Sequence, residues 1–326
     1  MPGRASAARV CACAFYIYAI AAHPAARAAE ESEEAETSGW AGLAQFAAGY
    51  DTNANASTRE QEFLGFTLDP RFVESESSFG ELTLGLDHTA VLASDRGFNS
   101  SVQLAHRANP GATFANQTVA YLGTEAVLLR DAGRFTLGIS GYADRLDGKD
   151  RERGASIDLG MSRESGENLE IALSVRTSRI SYEESDLEAL DVDRYLGGFS
   201  LTRLNLGARS GSVGFTLLAG RDVSRRMDSP FGNDRLGVQL STSWAVLPQA
   251  SLYVELSGMR SDFAGEFFGF DRKDDQYDAT MALEFSDWPA ARWSVMPQVR
   301  HVRNDSTVSL FAYDRIEAAL YVRRQF

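Results

Sequence analysis

Three sets of residues in this chain carry side chains that could do chemistry. The first is Asp51-Thr52-Asn53-Ala54-Asn55, with Glu62 further on, which imitates a calcium-binding loop. Such a loop needs glycine at its sixth place to turn sharply, and here that place holds Ala56; its ninth place is Arg59. The segment reads instead as an Asn-rich turn, because Asn and Asp bond their own backbone and tolerate turn conformations. The second set is His88, His106 and His301. Acyl-transfer chemistry needs a nucleophile beside a base, and none of these histidines lies in a compact Ser/His or Asp/His motif, nor in the two-ligand spacing of a zinc site. No catalytic residue, cofactor site or metal site is expected. The third set is Asp87, Arg107, Asp144, Asp158, Arg176, Glu255, Asp278, Glu284 and Arg300. These are charges of both signs, interleaved with small or neutral positions such as Thr83, Gln103, Gln298, Gly138 and Gly160. Their chemistry would be electrostatic: charged walls of a water-filled passage tune which ions enter.

A charged wall needs elements that hold every second side chain on one face. The sequence supplies them. Phe135, Leu137 and Ile139 oppose Thr136, Gly138 and Ser140; Ile171, Leu173 and Val175 oppose Glu170, Ala172, Ser174 and Arg176. Tyr277, Ala279, Met281, Leu283 and Phe285 oppose Asp278, Thr280, Ala282 and Glu284, and Leu236, Val238 and Leu240 lead another such run. Period two is the strand signature; a helix would need 3.6. Residues 119–129 and 195–206 alternate less cleanly. The connectors also alternate in length. Short turns fall at residues 94–97, 130–133, 164–167, 209–211, 247–249 and 287–290, and longer polar loops at 52–74, 109–116, 147–152, 183–193, 226–234, 265–275 and 304–309. Short-long alternation marks the periplasmic turns and extracellular loops of an up-and-down barrel. The fold class is therefore all-β, a transmembrane antiparallel outer-membrane β-barrel of about 14 strands. Lipid offers the backbone no hydrogen bonds, so the sheet must close, pairing the first strand with the last. The loops at 52–74 and 263–270 are candidate plugs for the lumen, although Phe267, Phe268 and Phe270 read better as girdle or loop-packing residues.

Both ends of the chain agree. Phe326 closes a run in which Ile316, Ala318, Leu320 and Val322 share its face. An aromatic carboxy-terminus on an apolar strand face suits the interfacial girdle of such barrels, and marks Phe326 as an assembly signal for the barrel-assembly machinery. Arg324 breaks the face, as a long Arg near the membrane edge can by snorkelling. At the start, Arg4 and Arg9 precede an apolar stretch from Cys11 to Ala22, then Ala26-Arg27-Ala28. This is the layout of a secretory signal peptide over residues 1–28, followed by a polar tail at 29–38 and the barrel at 39–326. Both cysteines, Cys11 and Cys13, fall in the leader, so a mature disulfide or thiol nucleophile is excluded. The formal charge of −13 excludes general electrostatic binding to nucleic acid. Outer-membrane lipid is the expected partner, and a mean hydropathy of −0.24 is no objection, since lumen and lipid faces cancel.

Two short stretches together resemble a known family. Gly49-Tyr50-Asp51-Thr52-Asn53-Ala54-Asn55 ends the first strand, and Arg303-Asn304-Asp305-Ser306 followed by Tyr313-Asp314-Arg315 leads into the last. This pairing resembles the C-terminal barrel domain of the surface lipoprotein assembly modifier family. The resemblance implies a barrel of about this size that acts in transport or assembly across the outer membrane, with a lipoprotein cargo. It places Tyr50, Asp51, Asn53, Asn55, Tyr313, Asp314 and Arg315 at the barrel seam and rim. The tetratricopeptide repeats of that family have no counterpart here, since no helical period of about 34 residues occurs; a separate periplasmic partner would have to replace them. A porin-like diffusion channel, or a structural or adhesive surface protein, are the alternatives the residues leave open.

Overall fold

The computed structural model describes residues 38–166, 168–184, 187–206 and 211–326. The expected leader, and the tail through residue 37, lie outside the described residues. Among the described residues there are sixteen strands. They are β1 (Gly39–Asp51), β2 (Glu62–Phe63), β3 (Phe66–Thr67), β4 (Ser77–Ala93), β5 (Arg96–Ala108), β6 (Gln117–Arg130), β7 (Gly133–Leu146) and β8 (Lys149–Ser165). They continue with β9 (Leu169–Tyr182), β10 (Val192–Leu206), β11 (Gly211–Ser224), β12 (Asn233–Leu247), β13 (Ala250–Phe267), β14 (Phe270–Ser286), β15 (Trp293–Ser306) and β16 (Tyr313–Gln325). All but β2 and β3 join one closed antiparallel barrel of 14 strands, each pairing with its chain neighbours, and β1 closing on β16. The seam runs from Leu43↔Gln325 to Asp51↔Glu317.

The alternation written in the sequence decides which way each strand faces. Leu82, Leu84 and Leu86 on β4, Leu137 and Ile139 on β7, and Leu236, Val238 and Leu240 on β12 are all exposed, as are Ile316, Leu320 and Phe326 at the carboxy-terminus. A soluble protein does not display apolar side chains on this scale; hydrocarbon solvates them here. Aromatic residues edge this band. Trp40, Trp244, Trp288 and Phe326 are exposed at the end bearing the turns and termini, and Tyr50, Tyr195 and Tyr277 near the other. On β1 the stretch from Trp40 to Tyr50, at roughly 3.3 Å per residue and a tilt of about 40°, spans about 25 Å, the height of an outer-membrane hydrocarbon band. Arg324 lies over the rings of Trp293 and Phe326, 5.3 and 4.9 Å from their centroids, so its charge sits in the girdle rather than in hydrocarbon. The chain is a bacterial outer-membrane barrel.

Two expected loops prove to be strand. β7 and β8 meet at Asp147-Gly148, and β13 and β14 at Phe268-Gly269, each pair with positive φ at both residues (51° and 74°, 57° and 85°). That is the two-residue turn whose twist matches paired strands. The flanking segments lack the apolar period because they rise beyond the lipid, where both faces are polar. β6, whose alternation is poor, pairs regularly with β5 and β7 along its length.

One ladder has a fault. β14 and β15 pair at Ala282↔Gln298 and again, in the same register, at Phe285↔Val295. Between them stands Pro297, which has no N–H to donate. On the lipid side a groove of about 530 Å³ runs past this point, lined by Leu283, Pro297, Val299, Ala318 and Leu320 among others.

Candidate functional site: the inner wall and its roof

The inner wall is set by register. Thr83, Gln103, Tyr121 and Tyr142 mark the geometry of neighbouring strands: Gly85 faces Gln103, Gln103 faces Tyr121, and Tyr121 faces Tyr142. On this wall lie Asp87 of β4, Arg107 of β5, Asp144 of β7, Asp158 of β8, Arg176 of β9, Glu255 of β13, Asp278 and Glu284 of β14, and Arg300 of β15, each opposite in parity to the exposed apolar residues of its strand. The structure brings several of them together. The Arg176 Nε donates to Asp158 across β8 and β9, and Arg300 donates to Asp278 across β14 and β15. Arg107 and Asp144 join clusters at the loop end, described next, whereas Asp87 lies far down the turn end of β4.

At the loop end the inner wall is occluded and ion-paired. Asp51, Arg107, Arg315 and Glu317 form a closed four-charge cluster. Arg107 donates to Asp51 at 2.6 Å and to Glu317 at 2.7 Å, and Arg315 donates to Asp51 at 2.5 Å and to Glu317 at 2.9 Å. The Arg107 guanidinium also lies 3.6 Å from the centroid of Phe79. Asp51 is 0% exposed and the other three between 4% and 6%. Two positive and two negative charges cancel, which is what lets the group be buried. The same logic repeats around the rim. Asp144 receives Arg151 and Gln117, Asp222 receives Arg194 and Arg235, and Arg272 pairs with Asp274 while lying 3.4 Å from the centroid of Phe311.

The roof over this end is the segment between β1 and β4. Its root is polar and buried. Asn53 donates to the carbonyls of Ser57 and Asp314, its own N–H donates to Asp51, and Asn55 donates to the carbonyls of Arg71 and Val73. From this root the β2–β3 ribbon reaches the β15–β16 loop and the β13–β14 tip. Phe63 and Leu68 pack on a core of Phe267, Val308, Leu310 and Phe311, Phe63 meets Phe268 edge-on at 5.2 Å, and the Ser309 hydroxyl donates to Glu60. The Arg71 guanidinium, held above its ordinary pKa first by its hydrogen bond to Asp69, also feels the carboxylates of Asp147 and Glu184, on loops across the mouth. The segment is thus a strap lying over the opening. Of the expected plugs, 52–74 is this strap, and Phe267 serves as loop packing within the core beneath it, while Phe268 and Phe270 remain exposed at the β13–β14 tip.

Residues selected from the resemblance meet here. Asp51, Asn53, Asn55 and Arg315 are in the seam-and-strap cluster, and Asp314 lends its carbonyl to Asn53. Tyr313 is 9% exposed on the inner face of β16, whereas Tyr50 points outward and donates to Glu76 at 2.6 Å. Glu317, Asp222, Arg194, Arg235, Arg272 and Asp274 were missed. A same-face signal existed: Arg315 and Glu317, and Arg272 and Asp274, are opposite charges two residues apart on strands, where they share a face. The histidines are dispersed on outward positions. His88 stacks near Trp40, His106 meets the Thr118 hydroxyl, and His301 lies 3.3 Å from Asp314.

Toward the turns the inner wall is buried on β14 and β15, at Ala282, Ser294 and Met296, and accessible on β4, β8 and β12. Asp87, Glu164 and Ser241 are exposed although they face inward, whereas Glu152 and Asn233, on the same faces of β8 and β12 at the loop end, are buried.

No known protein family and no curated protein matches the sequence. Solved structures do resemble it. OmpT, an outer membrane protein of Vibrio cholerae, aligns at 9% identity over 89% of this chain and 100% of that chain, with a TM-score of 0.49. OccAB3 of Acinetobacter baumannii aligns at 11% identity over 89% and 99%, TM-score 0.46, and an anion-selective porin from Comamonas acidovorans at 12% over 89% and 99%, TM-score 0.44. At these identities the likeness is one of fold alone.

Proposed function

We propose that this chain is a strapped diffusion channel, a porin-like conduit for small hydrophilic solutes rather than an enzyme. The observation that carries the reading is the inner wall: charged along its length, accessible near the turns on β4, β8 and β12, and occluded beneath the strap and its ion-paired root. A barrel used purely as a structural anchor has no need of a hydrated charged interior. The strap joins β1 to β4 by its ends and holds the β13–β14 and β15–β16 loops through side chains, so it can leave the mouth without unpairing a barrel strand.

The test is single-channel recording in planar bilayers. The native protein is expected to conduct intermittently, and a variant with Phe63→Ser and Leu68→Ser, which strips the strap's apolar hold, to stay open longer by several-fold. Silence from both proteins, with folding verified, would remove the conduit reading.

The seam cluster supports a second reading. The residues behind the resemblance to surface lipoprotein assembly modifier barrels fasten the strap, the part that a passing cargo would have to displace. On that reading the partners are a lipoprotein and a periplasmic carrier, and recovery of a surface lipoprotein with the crosslinked barrel is the outcome that would favour it. On either reading, Phe326 on the lipid face is the mark offered to the barrel-assembly machinery.

A further inference from the structure

We infer that the accessible stretch of the inner wall near the turns of β8, β9, β12 and β13 concentrates small cations and repels small anions. The inference deepens the conduit reading and rests on it for its biological meaning, but the electrostatics stand on the wall itself. At the occluded end acids and arginines cancel, as in the Asp51, Arg107, Arg315 and Glu317 cluster. Toward the turns they do not. Glu164 and Glu170 face each other directly across β8 and β9, and the other neighbour of Glu170 is Thr202. Glu255 stands between Ser241 and Thr280. Like charges directly opposite on a sheet repel and destabilise it, so this arrangement is maintained against a folding cost. The arginines that reach this stretch are taken up by other acids: Arg134 pairs with Glu125 at 3.7 Å, and Arg323 with Glu284 at 3.6 Å.

Accessibility is the second, independent part of the case. Glu164 is exposed to solvent, and Ser241, the register neighbour of Glu255, is exposed on the same inner face. The field of these carboxylates therefore acts on water inside a low-dielectric cylinder, which focuses it and raises the local concentration of counter-ions. The ligand class is a small hydrated cation, monovalent or organic. The acids do not converge into a chelating group: among the described residues no set of three or more His, Cys, Asp or Glu is placed to hold a metal ion. The wall selects by sign rather than by coordination.

A probe that does not depend on conduction tests this. Ser241→Cys, in full-length chain with Cys11 and Cys13 changed to serine, places one thiol on the inner face beside Glu255. Its labelling rates with a cationic trimethylammonium and an anionic sulfonate methanethiosulfonate are each referred to a small free thiol at low salt. The cationic reagent is expected to be favoured by about five-fold, an advantage that shrinks as salt shortens the screening length. Adding Glu164→Gln, Glu170→Gln and Glu255→Gln, which keeps side-chain size on an accessible wall, is expected to bring the ratio near one. Equal rates in the parent, faster labelling by the anion, or a ratio untouched by the glutamines would each overturn the inference. A protein that keeps the cation preference yet passes no current in bilayers would end the conduit reading and leave the acidic wall standing.

Discussion

Asp51 is fully buried and carries two arginines, so its neighbourhood shows how a charge is tolerated at the seam. Removing one partner from such a group leaves an uncompensated buried charge, at a cost of about 3–5 kcal/mol. Arg315→Met is therefore expected to lower the unfolding free energy of the barrel in urea by that order. Asp51→Asn in the same chain should restore part of the loss, since it removes the charge that Arg315 left behind. A double-mutant cycle measured by refolding from urea into detergent decides it: purely additive losses would mean that the two residues do not act as one unit. The seam residues were legible as a motif before they were legible as a network. Their positions at the ends of the first and last strands placed them together. Arg107 was assigned to the inner wall by parity alone, and nothing in the sequence reveals that a residue of β5 reaches both acids of the seam, because that contact depends on how strands curve around the mouth.

At the scale of elements, regularity and its exceptions both follow from lipid as a solvent. A strand inside hydrocarbon must give away every N–H and C=O, and β15 fails to do so at Pro297. Pro297→Val supplies the missing donor in unchanged register and presents a β-branched side chain to the lipid groove. It is expected to stabilise the β14–β15 ladder by about 1 kcal/mol, the net value of a hydrogen bond, read as a higher temperature for loss of the fast-migrating folded form in SDS gels. An unchanged or lower transition would show that the proline's rigidity contributes as much as the missing bond removes. The strand count and the alternation of turns and loops were legible because lipid enforces period two between the girdles. Above the girdle the constraint lapses. Residues 147–152 and 265–275 therefore read as loops although they complete β7, β8, β13 and β14. Outward pairs in that zone, such as Arg179 with Asp193 and Arg221 with Asp234, are polar on the face that is apolar lower down, which erases the signal.

Taken whole, the molecule has its height written by its aromatics. The girdles on β1 set a hydrocarbon span of about 25 Å. Folding into vesicles is expected to be fastest and most complete where acyl length gives that thickness, and to slow in thicker bilayers, followed by the tryptophan emission of Trp40, Trp244, Trp288 and Trp293. Equal rates across thicknesses would disconnect the girdles from membrane placement.

The β1–β16 junction has a temporal meaning as well as a spatial one. The strap is rooted in groups that belong to the final strand: Asp314 receives Asn53, and Arg315 with Glu317 holds Asp51. Until the last residues of the chain have docked, those groups are not in place and the strap has nothing to fasten to. A half-inserted cylinder is thus obliged to gape, and the mouth is covered only on a molecule whose circumference is complete.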